Sequence, residues 1–404
     1  MSSSPMQPLA DIVSSQYERW VYPEPILDLE LWLQNNWQWF DPSHAHRLFW
    51  PKQNYRPELD ILIAGCGTNQ AAVIAYNNPQ AKVVAIDVSQ TSLDHQYFLK
   101  DKYRMTNLEL HLLPIEEVGK LNRDFDLIIS TGVLHHLADP LKGLQALSKC
   151  IRQDGVVALM LYAKYGRIGV EILQSVVRDL GLEQTDASVL MVKEMLGVLP
   201  ESHPIKSYMS IAPDLQFDAG LVDTFLHGRD RSYSIDDCIK LATSSDLVLQ
   251  GMFLKSPYYP DPHLESVFHS SLTKLPDDRQ WSIMERINTL NACHFFTVCR
   301  ADRPQESYKI DFKTNDFLNY APAFRYRCSL TDNLIARHDW SAMLSPSETL
   351  MVSQMDGKKT IARIIYEASK DEPLINQAPE QLESFARTLF QRLWQLDFIS
   401  INLN

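Results

Sequence analysis

The chain commits to an open parallel sheet within the span from Ile61 to Asp87. Ile61-Leu62-Ile63 runs into Ala64-Gly65-Cys66-Gly67-Thr68, and the next aliphatic run, Val83-Val84-Ala85-Ile86, stops at Asp87. Short unbroken apolar runs read as strands buried on both faces, which is what a sheet covered by helices requires. Glycines after the first strand let the backbone turn sharply and approach a ligand, and a carboxylate ending the second strand can accept both hydroxyls of a ribose. The pattern predicts a nucleoside-binding βαβ unit. The third glycine of a dinucleotide loop is missing, because Asn69 and Gln70 follow Thr68. A pyrophosphate therefore has no seat at the helix N-terminus.

A third apolar segment covers Leu108 to Leu113, and a fourth, Phe125-Asp126-Leu127-Ile128-Ile129-Ser130, closes on Thr131-Gly132-Val133-Leu134-His135-His136-Leu137. With Gly65-Cys66-Gly67, Asp87 and the later Asp154-Gly155-Val156-Val157, these segments resemble a class I S-adenosylmethionine-dependent methyltransferase. The resemblance implies an α/β fold, a Rossmann-like seven-stranded sheet with an antiparallel last strand, and S-adenosylmethionine as cofactor. It also places the cofactor residues: Gly65, Cys66 and Gly67 along the amino-acid part, Asp87 with Val88 at the ribose, and Thr131 and Gly132 nearest the methyl. Beside the adenine such enzymes carry an acidic residue followed by a small apolar one, and Pro114-Ile115-Glu116 departs from this at Pro114. The adenine amino group is then read by Glu116 or by backbone, with Ile115 as the apolar cover. One of His135 and His136 faces the site, His136 being the candidate base, while the other packs or caps the helix starting near Asp139-Pro140.

The first fifty residues are rich in aromatics, among them Tyr17, Trp20, Tyr22, Trp32, Trp37 and Trp39. Gln16-Tyr17-Glu18 and Tyr22-Pro23 resemble the opening of a methyltransferase group often joined to tetratricopeptide repeats, where it folds over the cofactor as a lid. Tyr17 and Tyr22 are then expected to reach donor or acceptor; the other reading has these rings padding the outside of the sheet. The repeat array itself is absent from the sequence. Leu161-Tyr162-Ala163-Lys164-Tyr165-Gly166-Arg167 resembles the same group and is expected at the mouth of the site. Helical periodicity follows over Val170–Leu180, 187–199 and 205–211, an insertion of the kind that carries substrate specificity. Within 223–234, Asp223, His227 and Tyr233 offer a polarising acceptor, a base and a hydrogen-bond donor, although Ser234 before Asp236-Asp237 is also a plain helix start.

Three regions are expected: an aromatic lid over 1–50, a methyltransferase domain over 51–303 with its helical insertion at 165–235, and a small winged-helix-like domain over 321–404 that docks substrate. The stretch through Asn315 reads as a linker. A net charge of −12 gives little counterion-release drive for nucleic acid. Six cysteines lack metal spacing and read as reduced thiols, no apolar run suits a membrane helix, and methyl transfer requires no metal. The expected function is a cytoplasmic methyltransferase acting on a protein side-chain nitrogen, similar in layout to the asparagine methyltransferases of phycobiliprotein β subunits. The alternatives are a small-molecule N- or O-methyltransferase and a non-catalytic binding module. Oligomeric state is left open.

Overall fold

The computed structural model describes residues 11–260 and 266–403, so the first ten residues of the expected lid lie outside the described residues. Seven strands form the main sheet: β1 Asp60–Ala64, β2 Lys82–Asp87, β3 Leu108–Leu112, β4 Phe125–Thr131, β5 Ile151–Tyr162, β6 Leu247–Met252 and β7 Cys293–Arg300. Their order is β3-β2-β1-β4-β5-β7-β6, and β7 runs antiparallel to both of its neighbours. Seven strands with the last one antiparallel are what the resemblance implied. Leu62, Ile63, Ala85, Ile128 and Ile129 are wholly buried, as central strands covered on both faces demand. The strand order reverses between β1 and β4, and an α/β sheet opens its ligand crevice beyond the carboxyl ends of the strands at that point.

Caps fix where the helices start. Ser89 accepts from the Ser92 amide to open Gln90–Lys102, Asp139 caps Pro140–Ser148 with proline at its first position, and Ser234 forms a capping box with Asp237. The insertion comprises Ile168–Asp179, Asp186–Val198, Ile205–Met209 and Asp218–Phe225. Val170, Leu173, Val177, Val192, Ile205 and Phe225 give it a core of its own. Gly169 is what allows that packing, because a Cβ there would stand 2.4 Å from the Ile205 nitrogen.

The chain divides into two compact units, and their boundaries differ from those expected. Residues 1–40, 57–252 and 277–301 form the first; residues 41–56, 253–276 and 302–404 form the second. The helix Pro42–Phe49 thus belongs with the C-terminal residues and not with the lid. Nor is 305–315 a linker: Tyr308 and Phe312 are buried, and Phe312 sits in the apolar core of the second unit. That core is covered by Pro346–Ser353, capped by Ser345, by Ile361–Ala368 and by Pro379–Gln395. Strands β8 Tyr320–Phe324, β9 Ser329–Thr331, β10 Leu334–Ala336, β11 Ser341–Met343 and β12 Ile399–Leu403 complete it. Strand β12 pairs antiparallel with β8, while β9, β10 and β11 form a separate meander. No helix among the described residues is long and apolar enough to cross a membrane.

Candidate active site

Three glycines at strand ends hold left-handed backbone: Gly65 at φ 80°, Gly67 at φ 52° and Gly132 at φ 72°. A Cβ on Gly65 would lie 2.4 Å from a methyl of Val133, so the turns after β1 and β4 approach each other as closely as glycine permits. Asp87, at the end of β2, is buried; one carboxylate oxygen accepts from the Gly67 amide at 2.8 Å and the other from the Ser89 amide at 2.9 Å. Burial raises its pKa, and these amides counter the rise. Each oxygen keeps a second acceptor position. The buried Gln96 braces the turn by donating to the Gly67 carbonyl at 3.0 Å, and Gln70 donates to the Thr131 hydroxyl at 3.1 Å. Cys66 and Ile115 are buried, Val88 and Pro114 half-buried, and Glu116 is exposed on the short turn Ile115–Leu121.

The N-terminal residues lie on this cradle. Ser14 donates to the Val88 carbonyl at 2.9 Å, Glu18 accepts from Thr91, Thr68 donates to the Pro23 carbonyl, and Pro23 packs beside Gly67. These contacts hold residues 14–23 against the cradle. Tyr17 and Tyr22 reach across it to the insertion, where Tyr17 donates to Asp223 at 2.8 Å and Tyr22 to Asp214 at 3.1 Å. Burial, then Asp223, and more weakly Asp87, hold the Tyr17 hydroxyl protonated, so that one phenol feels both carboxylates.

Asp223 is buried among hydroxyls and imidazoles. Tyr17 donates to one carboxylate oxygen and Tyr162 to the other at 3.1 Å, and burial leaves its pKa above the ordinary carboxylate value. One ring nitrogen each of His136 and His227 and a carboxylate oxygen of Asp223 all lie within 4.8 Å of one another. The two imidazoles stack at 3.8 Å. Their hydrogen bonds fix what each edge offers. His136 Nδ1 donates to the Arg229 carbonyl at 2.9 Å. His227 Nδ1 accepts from the Arg229 amide at 2.9 Å, and burial holds the ring's pKa down to about 2, so Nε2 carries the proton. That N–H is buried without a partner. His227 Nε2 is thus a donor and not a metal ligand, although the spacing of the three groups would suit an ion.

His135 is the packing member of the pair: wholly buried, it stacks on Tyr162 at 3.9 Å and accepts from the Tyr162 amide. Arg167 lies over Tyr162 with its guanidinium carbon 3.6 Å from the ring centroid, and is itself held by Asp230 at 2.8 Å and by the Tyr208 hydroxyl at 2.9 Å. Tyr233 departs from the expectation. Its backbone accepts from Lys164 and His294, but among the described residues its hydroxyl has no bond to Asp223, His136 or His227.

Residues 62–157 match the family described as Methyltransferase domain. The chain is a class I S-adenosylmethionine-dependent methyltransferase. Along nearly its whole length, this methyltransferase is similar to an uncharacterized protein from Synechococcus sp., 27% identical over 396 residues and 91% of each chain. The tRNA U34 carboxymethyltransferase of Saccharophagus degradans is 29% identical over 152 residues, covering 36% of this chain and only 44% of that one. Among solved structures, PKMT2 from Rickettsia typhi shares the fold at a TM-score of 0.66 with 14% identity, over 94% of this chain and 77% of that one. The same protein in complex with AdoHcy aligns at 0.63 with 17% identity, over 90% and 75% of the two chains.

Sequence reading expected residues 161–167 at the mouth of the site but gave Tyr162 and Arg167 no role of their own. Tyr162 carried a signal, since it ends β5 at the same sheet edge that singled out Asp87 and Thr131. Nothing in the spelling of residues 161–167 marks Arg167 as buried.

Proposed function

We propose that the methyltransferase transfers the methyl group to a protein side-chain nitrogen held against Asp223, His136 and His227. The observation that carries this reading is the Tyr17 hydroxyl, bonded to Asp223 and within the field of Asp87, which joins the cradle to the cluster. The cradle suits the cofactor: positive-φ glycines leave room for its amino-acid part along Gly65, Cys66 and Gly67, and Asp87 keeps acceptor capacity for two ribose hydroxyls. Val88, Pro114, Ile115 and Glu116 would flank the nucleoside, and Thr131 and Gly132 the reactive end. When bound, S-adenosylmethionine supplies a methyl group already activated on a positively charged sulfur. The protein's work is to orient a nucleophile and exclude water. Tyr17 and Tyr162 fix the Asp223 carboxylate, which accepts the hydrogen of the incoming nitrogen.

An unpartnered donor at His227 beside the acceptor at Asp223 complements a carboxamide, which offers both a carbonyl and an N–H. An ammonium group offers only donors and would leave His227 unsatisfied. This favours an asparagine side chain, and the asparagine of a phycobiliprotein β subunit is the specific acceptor the resemblance suggests. Residues 321–404 would serve in docking it, in the cytoplasm. The test is labelled-methyl transfer from S-adenosylmethionine into a lysate, followed by gel and solvent extraction. Counts in a protein band are expected; counts confined to the solvent extract would overturn the reading in favour of a small-molecule acceptor.

A further inference from the structure

Beside the cluster opens a cavity of about 670 Å³ whose lining includes Lys164, Arg178, Arg231, Lys240, Tyr233 and Asp230. On a chain of net charge −12 this concentration of cations stands out, and none of the four is in an ion pair among the described residues. They outnumber Glu171 and Asp237, the carboxylates that share the lining, and Asp230 is already neutralised by Arg167 at 2.8 Å. Asp230 also ties the cavity to the chemistry: its side chain is 6% exposed, its Oδ1 has no hydrogen-bond partner, and that oxygen stands 4.0 Å from His136 Nδ1.

The helix Ile168–Asp179 shapes one wall and has three faces. Val170, Leu173 and Val177 are buried in the insertion core, and Glu171, Gln174 and Arg178 line the cavity. Ile168, Ile172, Val176 and, just past its end, Leu180 form a stripe spaced by four, each between 37% and 57% exposed. Large apolar side chains at helical spacing that their own chain leaves more than a third exposed mark a surface that another molecule covers.

We infer that this cavity and the apolar stripe seat the acceptor protein through an acidic segment with interspersed apolar residues, flanking the nitrogen to be methylated. The inference rests on the protein-acceptor reading and specifies its substrate class. The cations would also attract RNA phosphates, but the stripe offers polyanionic RNA nothing. A polypeptide can use both features at once.

The test is fluorescence anisotropy with a short fluoresceinated Glu-Leu repeat peptide, a Lys-Leu repeat as control and bulk tRNA as competitor. The peptide should bind wild-type protein, and the Arg178→Glu/Lys240→Glu variant should bind it roughly tenfold more weakly, an effect that shrinks at high salt. S-adenosylhomocysteine affinity should not change, which reports an intact fold, and Arg178→Gln/Lys240→Gln should fall between the two. Equal peptide binding by wild type and the charge-reversed variant, or preference for tRNA over peptide, overturns the inference. Labelled-methyl transfer into lysate separates the two levels. If wild type and variant label a protein band equally, the docking surface is wrong and the protein acceptor stands; if wild type labels no protein, both fall.

Discussion

Two buried aspartates, one in each unit, show how the same side chain is put to different uses. Asp397, in the second unit, accepts from the Lys255 and Ser256 amides at 2.7 and 2.9 Å and pairs with Arg325 and the Lys255 ammonium. Burial pushes its pKa up, but the two cations outweigh burial and hold it below the ordinary value. Asp223, in the first unit, is as deeply buried but meets hydroxyls and imidazoles, and its pKa stays raised. A carboxylate whose charge is compensated by fixed cations holds a fold together. One left among hydroxyls and imidazoles, with its pKa raised, remains free to take a hydrogen from something that arrives.

The sharpest way to break this contrast is Asp223→Asn. It removes the acceptor charge while preserving shape, so methyl transfer should fall by about 10²–10⁴-fold, with S-adenosylhomocysteine affinity little changed in calorimetry and a melting temperature no lower than wild type. Normal turnover would place Asp223 with Asp397 as a structural group. Asp397→Ala leaves Lys255 and Arg325 buried without a counter-charge and should cost about 3–5 kcal/mol in denaturant unfolding of the second unit; a loss below about 1 kcal/mol would show that the ion cluster is solvated. Asp87→Ala should weaken S-adenosylhomocysteine by roughly ten- to a hundredfold, two hydrogen bonds to a charged acceptor being lost. Retained affinity would remove Asp87 from the site.

Acidification separates the two aspartates by sign. Asp223 has its folded pKa above the ordinary 3.8, so transfer should decline as pH falls through that raised value. Asp397 has its folded pKa below 3.8, so its contribution to stability is complete above that point and is lost only as pH falls further. Transfer should therefore fade before the second unit loosens, as followed by activity and near-ultraviolet circular dichroism on one titration. The smallest effect is expected of Tyr162→Phe. It deletes one of two donors to Asp223, with a severalfold loss in kcat at about the same KM; a larger drop in KM-dependent binding would make Tyr162 a contact of the acceptor itself.

Much of the first unit was legible because strand burial writes itself into the sequence. The runs at 61–64, 83–86 and 125–130 could only be central strands, and Gly65, Gly67 and Asp87 followed from where those strands end. What stayed hidden depends on distant parts of the chain meeting. Nothing local says that Tyr17 will find Asp223, that Arg167 will lie across Tyr162, or that Arg229 will set both histidine tautomers through its backbone. The second unit was harder for the same reason. Phe312 sits in a polar stretch that reads as a linker, and it becomes a core residue only when Ile361–Ala368 and Pro379–Gln395 fold around it. Tyr233 misled in the other direction: its place between Arg231 and Ser234 looked chemical, yet its backbone does the bridging, pairing with Ala163 beside the end of β5.

The central claim is that the cradle at Asp87 and the cluster at Asp223 are one site, and a crystal structure with S-adenosylhomocysteine bound tests it most directly. The account predicts the ribose hydroxyls on the Asp87 carboxylate and the sulfur turned toward Tyr17, Tyr162 and Asp223. A ligand bound away from Asp87, or one whose sulfur points away from that cluster, would contradict it.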